Sequence, residues 1–327
     1  MDGTIGVASG KVILLGEHAV VYGVPAIAAG IERGARARCE RMAQGPSRLR
    51  VTGWEIEVSE EDQHHDLGRA FAALLRAVRQ GVSGAEQTAA HLMVEAEADL
   101  PPGGGLGCSA AIGVAVARAL APEASPTEIE SFVMAWERVF HGNPSGVDAA
   151  VSARGGCVLF ERGNGKASHI AMVHVQGGLT LCVGHTGVAS STKSMVDDVA
   201  RLKGRRPEVV QKAFDGISAL VKNARLAIED GDRFALGRLM DLNQMLLSGL
   251  FVSTTEIEAM CDVARASGAL GAKLTGAGGG GSVVALVNGM AGADRVLEAW
   301  AKDGFNGFAT RVSPSEWMPR AASGERP

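Results

Sequence analysis

The sequence predicts a two-domain protein in which each domain combines α-helices with β-strands. Its 327 residues are about twice the length of an average domain, and a hydrophobic fraction of 46% is enough for a core in each half. Apolar residues recur both at helical spacing and in the short alternating or continuous runs that are typical of strands. The predicted boundary at Gly177 and Gly178 divides the chain into residues 1–177 and 178–327.

The first predicted elements alternate between strand and helix. Residues 11–15 are β-branched and aliphatic and predict a buried strand, whereas residues 66–78 place apolar side chains at helical spacing. Residues 92–98 alternate apolar with acidic side chains, as a half-buried strand does, and prolines 101 and 102 end that strand. Residues 109–120 are rich in alanine and predict a tightly packed helix.

A capping box predicts the next helix. Ser125 and Glu128 have the required spacing and Pro126 suits the first helical position, so this helix should run to about Phe140. A short helix over residues 149–153 follows, and the first half ends with strand-like segments at residues 157–160 and 170–175.

The second half opens with a strand over residues 179–183 and continues mainly with helices. A second capping box, which begins at Thr255, should start a helix that ends at about Ala266. The segment from Ser313 onward is expected to be a loose tail. The remaining predicted elements are helices at residues 192–202, 207–229 and 233–250 and a strand at residues 282–287.

Composition excludes several classes of protein. The formal net charge of −4 gives no global attraction to nucleic acid or to an anionic membrane. Five scattered cysteines, none in a C-x-x-C spacing, argue against a disulfide framework or a zinc site and favour a reducing compartment. No apolar run approaches the ~20 residues that cross a bilayer, and the first residues lack a signal-peptide pattern. We therefore expect a cytoplasmic protein that binds neither nucleic acid nor membranes.

Glycine is unusually frequent, and the first glycine cluster predicts a phosphate site. The chain contains 44 glycines, well above the ~7% of an average protein. Residues 101–111 read PPGGGLGCSAA and lead into a predicted helix. Unpaired N–H groups and the dipole at the start of a helix attract anions, most naturally phosphate. Ser109 has a hydroxyl that can cap this helix or ligate a metal held by phosphates.

Other interpretations of this loop remain open. Gly105, Gly107 and Ala110 match the dinucleotide-binding fingerprint formally, but that fingerprint follows a strand directly and two prolines intervene here. The Walker pattern is absent, because no lysine follows the last glycine. A glycine-rich turn that only allows tight helix packing is the alternative without a ligand.

The second glycine cluster, in residues 273–282 (KLTGAGGGGS), leads directly into an apolar strand. A flexible linker would be polar and continue into more loop. We therefore expect this segment to approach a ligand or the first glycine loop closely.

Charged residues mark two further segments. Residues 10–23 read GKVILLGEHAVVYG, so Lys11, Glu17 and His18 interrupt an apolar element, where unpaired charges are costly. Glu137 lies near the end of one helix and Asp148 at the start of the next; each has an ordinary alternative, as an exposed helix residue or an N-cap. The run from His64 to Asp66 looks like a metal site but lacks a further ligand, which favours a solvated loop at a helix start.

Together these segments resemble the GHMP small-molecule kinases and, within them, the mevalonate kinases. Residues 10–23, 101–111 and 273–282 resemble the three motifs of that superfamily in the same order. Residues 141–148 (HGNPSGVD) resemble the segment that distinguishes mevalonate kinases, and residues 186–193 (TGVASSTK) resemble a segment of their prokaryotic members.

The resemblance implies a GHMP kinase fold of two α+β domains with the active site in the cleft between them. It implies ATP- and Mg²⁺-dependent phosphorylation of the primary hydroxyl of mevalonate to 5-phosphomevalonate, a step of isoprenoid biosynthesis. Asp148 would act as the base and Lys11 would contact both that carboxylate and the transferred phosphate. Ser109 and Glu137 would hold Mg²⁺. The ATP phosphates would contact a loop made of Gly103, Gly104, Gly105, Leu106, Gly107, Cys108 and Ser109.

The resemblance also implies a mevalonate side of the cleft, formed by Glu17, His18, Ser145 and Thr192. Cys108 departs from the family, which more often has serine there, and this puts one auxiliary hydrogen bond in question. Homodimers are usual in the family. The alternatives are a related kinase with another alcohol or phosphate substrate, a non-catalytic sensing homologue, and an NAD-dependent oxidoreductase, which prolines 101 and 102 disfavour.

Overall fold

A computed structural model describes residues 3–82, 91–101, 103–142, 144–163 and 168–312. The expected loose tail from Ser313 lies outside these residues, as do Pro102 and Asn143 of the motifs above. Within the described ranges, no helix is both long and apolar enough to cross a lipid bilayer.

The first sheet is built around one long strand, β2 (Ala26–Met42). One edge of β2 pairs along its length with β1 (Thr4–Leu15), and the other edge pairs with β5 and then with β6. The full order is β4-β3-β5-β2-β6-β7, with β1 attached to β2. The other strands are β3 (Arg48–Val51), β4 (Ile56–Ser59), β5 (His91–Ala98), β6 (Cys157–Glu161) and β7 (His169–Met172).

Within the described residues, four α-helices accompany this sheet: α1 (Asp66–Gly81), α2 (Cys108–Leu120), α3 (Pro126–His141) and α4 (Val147–Arg154). Helix α2 packs against β1 and β2 and is buried on nearly every side, which explains its small residues. The approach is so close that a Cβ on Gly6 would lie 2.0 Å from the carbonyl oxygen of Ala115. The first half therefore holds the start of α2 firmly against β1.

The second sheet has the antiparallel order β11-β8-β10-β9. Its strands are β8 (Leu179–His185), β9 (Gly271–Thr275), β10 (Ser282–Val287) and β11 (Asn306–Val312). The helices of this half are α5 (Thr192–Arg205), α6 (Pro207–Asp230), α7 (Arg233–Gly249), α8 (Thr255–Ala266) and α9 (Gly289–Lys302). The predicted boundary at residues 177–178 falls between β7 and β8, and the division into domains there stays a prediction.

Two local predictions need correction. Strand β7 ends at Met172 rather than at residue 175. Helix α8 is capped by Thr254, whose side chain accepts a hydrogen bond from the Ile257 N–H group, and not by Thr255. The interpretation of the histidine run as a solvated loop at a helix start is confirmed: His64 and His65 are exposed, and His65 Nδ1 accepts a hydrogen bond from the Leu67 N–H group at 3.1 Å and caps α1.

The two halves meet through side chains of β9 and β11. The Thr275 hydroxyl accepts a hydrogen bond from the Ile13 N–H group at 2.8 Å and donates one to the Ile13 carbonyl at 3.2 Å. On β11, the Thr310 hydroxyl accepts a hydrogen bond from the Glu32 N–H group at 3.0 Å. Strand β1, which carries Lys11, is thus fixed against the second sheet.

Candidate active site

A cavity of about 450 Å³ lies between the two halves of the molecule. Its walls come from β1 and the turn after it, the end of α3, the start of α4, the start of α5, and both glycine loops. Charged groups of both signs line it, which is the pattern of a site for a small polar ligand. Seven of the residues selected from the sequence lie in its lining: Lys11, His18, Gly105, Glu137, Ser145, Asp148 and Thr192.

Lys11 and Asp148 form an ion pair at the centre of this lining. The Lys11 side chain is only 3% exposed, and its ammonium lies 3.1 Å from Asp148 Oδ1. The same ammonium donates a hydrogen bond to the Gly105 carbonyl at 3.0 Å. Asp148 sits in the first turn of α4 and is partly exposed, so its carboxylate can accept a hydrogen bond from a ligand in the cavity. One lysine therefore connects an acidic oxygen to the first glycine loop.

The first glycine loop presents free backbone donors beside this pair. Gly103, Gly105 and Gly107 all have positive φ angles, of 71°, 73° and 73°, which glycine adopts without strain. The N–H groups of residues 105–107 have no hydrogen-bond acceptor in the part of the chain that the structure describes. The first N–H groups of α2 follow directly, and a helix leaves these groups without internal partners. This arrangement favours phosphate binding.

The two glycine loops touch each other. A Cβ on Gly105 would lie 3.1 Å from the Thr275 carbonyl oxygen, and one on Gly276 would lie 3.1 Å from Gly105 Cα. The Ser282 hydroxyl donates a hydrogen bond to the Gly104 carbonyl at 2.6 Å. The second glycine loop thus packs against the first and fixes its position.

Ser109 and Glu137 bring two hard oxygen donors together at the start of α2. The Ser109 hydroxyl donates a hydrogen bond to Glu137 Oε1 at 2.6 Å, and the Trp136 indole N–H lies 3.1 Å from the same hydroxyl. Hydroxyl and carboxylate oxygens are the ligands that Mg²⁺ prefers. His141 lies on the other side of the carboxylate, with Nε2 3.7 Å from Glu137 Oε2.

The Glu137 carboxylate lacks sufficient positive charge around it. Burial raises its pKa to about 7, and the nearby negative charge of Asp148 contributes, although the Ser109 hydrogen bond and Lys11 lower it. Burial also lowers the pKa of His141, so that this imidazole is a poor counter-ion. A bound cation would supply the missing charge, and the side chains present fit a divalent metal. No cluster of three or more ligating side chains occurs among the described residues, so any such metal takes most of its ligands from elsewhere.

His18 also lines this cavity. Its backbone has φ 60° and ψ −49°, an unusual conformation for a residue other than glycine. The His18 ring nitrogen Nε2 lies 2.8 Å from the Ala277 carbonyl oxygen in the second glycine loop. Burial lowers the pKa of His18, so the ring is neutral near pH 7 and Nε2 donates to this carbonyl.

The position of Glu17 differs from the one that the resemblance implies. The resemblance placed it with His18 on the substrate side, but its side chain is fully buried and is absent from the cavity lining. Its carboxylate forms an ion pair with Lys273 and accepts a hydrogen bond from Asn243 Nδ2 at 3.1 Å. Glu17 therefore acts inside the protein and does not face a ligand.

Cys108 and Leu106 have structural positions in the first glycine loop. The Cys108 thiol is buried and donates a weak hydrogen bond to the Leu100 carbonyl at 3.8 Å. Burial raises its pKa to about 12, so the thiol stays protonated. The Leu106 carbonyl accepts a hydrogen bond from the Lys11 N–H group at 2.9 Å, which fixes the loop to β1.

The start of α5 contributes residues that the sequence analysis did not select. Lys193 and Asp197 lie in the cavity lining beside Thr192, and Lys193 forms no ion pair with any described residue. Lys193 is the last residue of the segment TGVASSTK, so the sequence did contain a signal for it. A role in ligand binding is indicated only by the structure, in which the start of α5 lines the cavity.

Comparisons with known proteins identify this arrangement. The model for the GHMP kinases N terminal domain matches residues 67–156, and the model for the GHMP kinases C terminal matches residues 224–306. The mevalonate kinase of Thermococcus onnurineus is 37% identical over 299 residues, which cover 85% of this chain and 87% of that relative.

Solved structures agree with the sequence comparisons. L. major mevalonate kinase in complex with R-mevalonate superposes with a TM-score of 0.81 at 31% identity, over 96% of this chain and 97% of that one. Methanococcus jannaschii mevalonate kinase shares the fold with a TM-score of 0.80 at 22% identity, over 95% and 98% of the two chains. The two glycine loops, the Lys11–Asp148 pair and a relative of 37% identity all lead to one conclusion: this chain belongs to the mevalonate kinases, within the GHMP kinase family.

Proposed function

We propose that this protein transfers the γ-phosphoryl group of ATP to the primary hydroxyl of mevalonate, giving 5-phosphomevalonate and ADP. The observation that carries the proposal is the position of the Lys11–Asp148 pair, which lies in the same cavity as Gly105 of the first glycine loop. The family membership and the mevalonate complex of the L. major enzyme support the choice of acceptor.

The nucleotide end of the cavity is assigned to the first glycine loop and the start of α2. Their unpaired backbone N–H groups would donate hydrogen bonds to the phosphates, and the dipole of α2 adds partial positive charge. Phosphoryl transfer depends on positioning and on neutralising charge, and rigid amides supply both.

We assign the metal ligands to Ser109 and Glu137. The hydrogen-bonded hydroxyl and carboxylate suit Mg²⁺, and the raised pKa of Glu137 indicates a carboxylate that needs a cation. Mg²⁺ held there would neutralise negative charge on the ATP phosphates.

Asp148 and Lys11 are assigned to the chemistry of the acceptor. An alcohol is a weak nucleophile at neutral pH, so its proton must be accepted as the bond to phosphorus forms. The Asp148 carboxylate orients the hydroxyl and receives that proton. The Lys11 ammonium stabilises the developing negative charge on the oxygen and contacts the group being transferred.

The mevalonate carboxylate is assigned to the opposite side of the cavity, at the start of α5. Lys193 supplies a positive charge there, and the N–H groups of the first turn of α5 add to it. His18, Ser145 and Thr192 then contact the middle of the substrate. This orientation places the hydroxyl end at Asp148.

We further propose a cytoplasmic location and a homodimer, which the family resemblance suggests. Cell fractionation and light scattering test these two points. A membrane-bound pool would contradict the first, and a monomer at micromolar concentration would contradict the second.

The function is tested with purified protein, MgATP and a panel of acceptors. Mevalonate, phosphomevalonate, galactose and homoserine are each assayed for ADP release, and the product is identified by mass spectrometry. We expect turnover with mevalonate alone. Turnover with another member of the panel and not with mevalonate would assign the protein to a related kinase activity, and binding without turnover would make it a sensing homologue.

A further inference from the structure

One buried ion pair lies outside the proposed chemistry. Lys273 on β9 and Glu17 after β1 both have side chains that are 0% exposed, and their charged groups are in direct contact. The Lys273 ammonium also lies 3.4 Å from the Ile13 carbonyl and contacts the Leu274 carbonyl. The pair therefore joins the second sheet to the turn that follows β1.

Stability alone is a weak explanation for this pair. Removing two charges from water costs about as much as their attraction returns, and well-packed apolar residues often replace such pairs without loss. A more specific explanation is that the pair fixes the geometry of the turn.

The backbone of that turn has an unusual conformation that other contacts must stabilise. His18, which lines the cavity, has φ 60° although it has a Cβ atom, and Gly16 before it has φ 107°. Contacts of two adjacent residues hold this turn: Lys273 and Asn243 fix the Glu17 carboxylate, and the Ala277 carbonyl fixes the His18 ring. All of these partners belong to the second half of the chain.

We propose that Lys273 is a positioning residue for the acceptor substrate. By fixing the Glu17 carboxylate it holds the unusual backbone conformation of His18, and so the direction in which the His18 ring faces the cavity. The identity of the acceptor rests on the proposed function above, but the geometric part of the inference does not.

The nucleotide end should be independent of this pair. Lys11 is held by its own contacts, through the Leu106 carbonyl and the Gly105 carbonyl, and the Ile13 backbone is held by Thr275. Loss of the Lys273–Glu17 pair is therefore expected to affect mevalonate more than ATP.

The experiment uses two variants and one control in the full-length protein. Lys273→Met removes one charge, and the double variant Glu17→Gln/Lys273→Met removes both and leaves no buried charge without a partner. The control is Arg265→Met, which breaks the ion pairs of Arg265 with Asp241 and Asp262; Asp241 accepts a hydrogen bond from the Ala272 N–H group at the start of β9. Each protein is assayed for kcat and for KM toward mevalonate and ATP, and its crystal structure is determined.

For the double variant we expect kcat/KM for mevalonate to fall about 100-fold, as small misplacements in an active site produce, with KM for ATP unchanged. Residue 18 should leave φ near 60° in its crystal structure, and the control should keep both properties. An unchanged kcat/KM for mevalonate, or equal losses of kcat/KM for mevalonate and ATP, would overturn the inference.

Failure of both Lys273 variants to fold would also overturn it, because the pair would then be a requirement of folding and not a positioning device. The crystal structures separate this inference from the proposed function. If the wild-type protein does not phosphorylate mevalonate, the proposed function fails, while the conformation of residue 18 in the variants still decides whether Lys273 positions it.

Discussion

Lys11 Nζ lies 3.1 Å from Asp148 Oδ1, although the two residues come from a strand and from a helix that are far apart in sequence. The ammonium is buried and the carboxylate is partly open to the cavity. The pair thus keeps one carboxylate oxygen next to a fixed positive charge and leaves the carboxyl group accessible to a ligand. Several expected results depend on this geometry and on the groups around it.

Asp148→Asn should lower kcat by about 10²–10⁴-fold, the usual range for loss of a general base. Asparagine keeps the size of the side chain but cannot accept the proton, so the nucleotide should still bind. Steady-state kinetics and calorimetric titration with ADP measure the two effects.

Asp197→Asn is the matched control for Asp148, because Asp197 is another aspartate in the cavity lining and forms no ion pair with Lys11 among the described residues. We expect its kcat to stay within about threefold of the wild type, since it takes no part in the proton transfer. Equal losses in the two variants would contradict the assignment of Asp148 as the base.

Glu137→Gln should make the metal-free protein more stable while removing its activity. The pKa of Glu137 is raised from 4.5 to about 7, so the folded state holds the proton more tightly than the unfolded state does. As pH rises from 4.5 through 7, the unfolded carboxyl ionises first and the wild type loses stability relative to the glutamine variant. Above that pH the free energy of unfolding of the Glu137→Gln variant should exceed that of the wild type by about 3 kcal/mol.

Urea unfolding in EDTA at pH 5 and pH 8 measures this difference. The exposed residue Glu123 offers a control, since Glu123→Gln should show the same stability as the wild type at both values. A glutamine variant at position 137 that is less stable than the wild type at pH 8 would refute the cause given for the raised pKa.

Gly105→Ala should lower kcat/KM for ATP about 100-fold, because the added methyl group displaces the phosphate loop by a fraction of an ångström to one ångström. Its Cβ would lie 3.1 Å from the Thr275 carbonyl, in a backbone with φ 73°. Gly45→Ala is the control, with φ 96° but no atom within 4 Å of the added Cβ.

The Gly45→Ala control should lose about 1 kcal/mol of folding stability, because alanine is strained at a positive φ angle, and its KM for ATP should stay unchanged. Kinetics and thermal unfolding of both variants separate the two effects. If Gly45→Ala damages ATP kinetics as much as Gly105→Ala does, contact between the glycine loops is not the reason.

Lys193→Met should raise KM for mevalonate about 10- to 100-fold, since a hydrogen bond to a charged group contributes ~1.5–3 kcal/mol. The KM for ATP and kcat should change little, because Lys193 is assigned to the substrate carboxylate and not to the ATP phosphates. Lys222→Met, on the exposed side of α6, is the comparison. A normal KM for mevalonate in Lys193→Met would place the substrate carboxylate elsewhere.

Helices were predicted well where local signals act alone. The capping box of Ser125 and Glu128 forms as expected, and α1 begins at the predicted residue Asp66. Strand β2 was missed because glycines interrupt its apolar part and its remainder alternates alanine with arginine. Its strand character comes from pairing with β1, β5 and β6, which a single chain does not reveal.

The residues of the site also fall into those that local sequence patterns predict and those that they do not. Glycine clusters and isolated charges in apolar segments can be recognised in the sequence, and they marked the first glycine loop, Lys11 and Asp148. The partner of Glu17 was not predictable, because Lys273 is 256 residues away and its segment was read only for its glycines. Contacts between remote segments depend on the packing of the two halves, and no local pattern encodes them.

The Thr275 hydroxyl binds both backbone groups of Ile13, as a neighbouring strand would. Because both bonds come from one side chain, the second sheet is held at a single register along β1. Lys11 lies two residues from Ile13 on the same strand, so the ammonium that pairs with Asp148 keeps a fixed distance from the second glycine loop, which begins directly after Thr275.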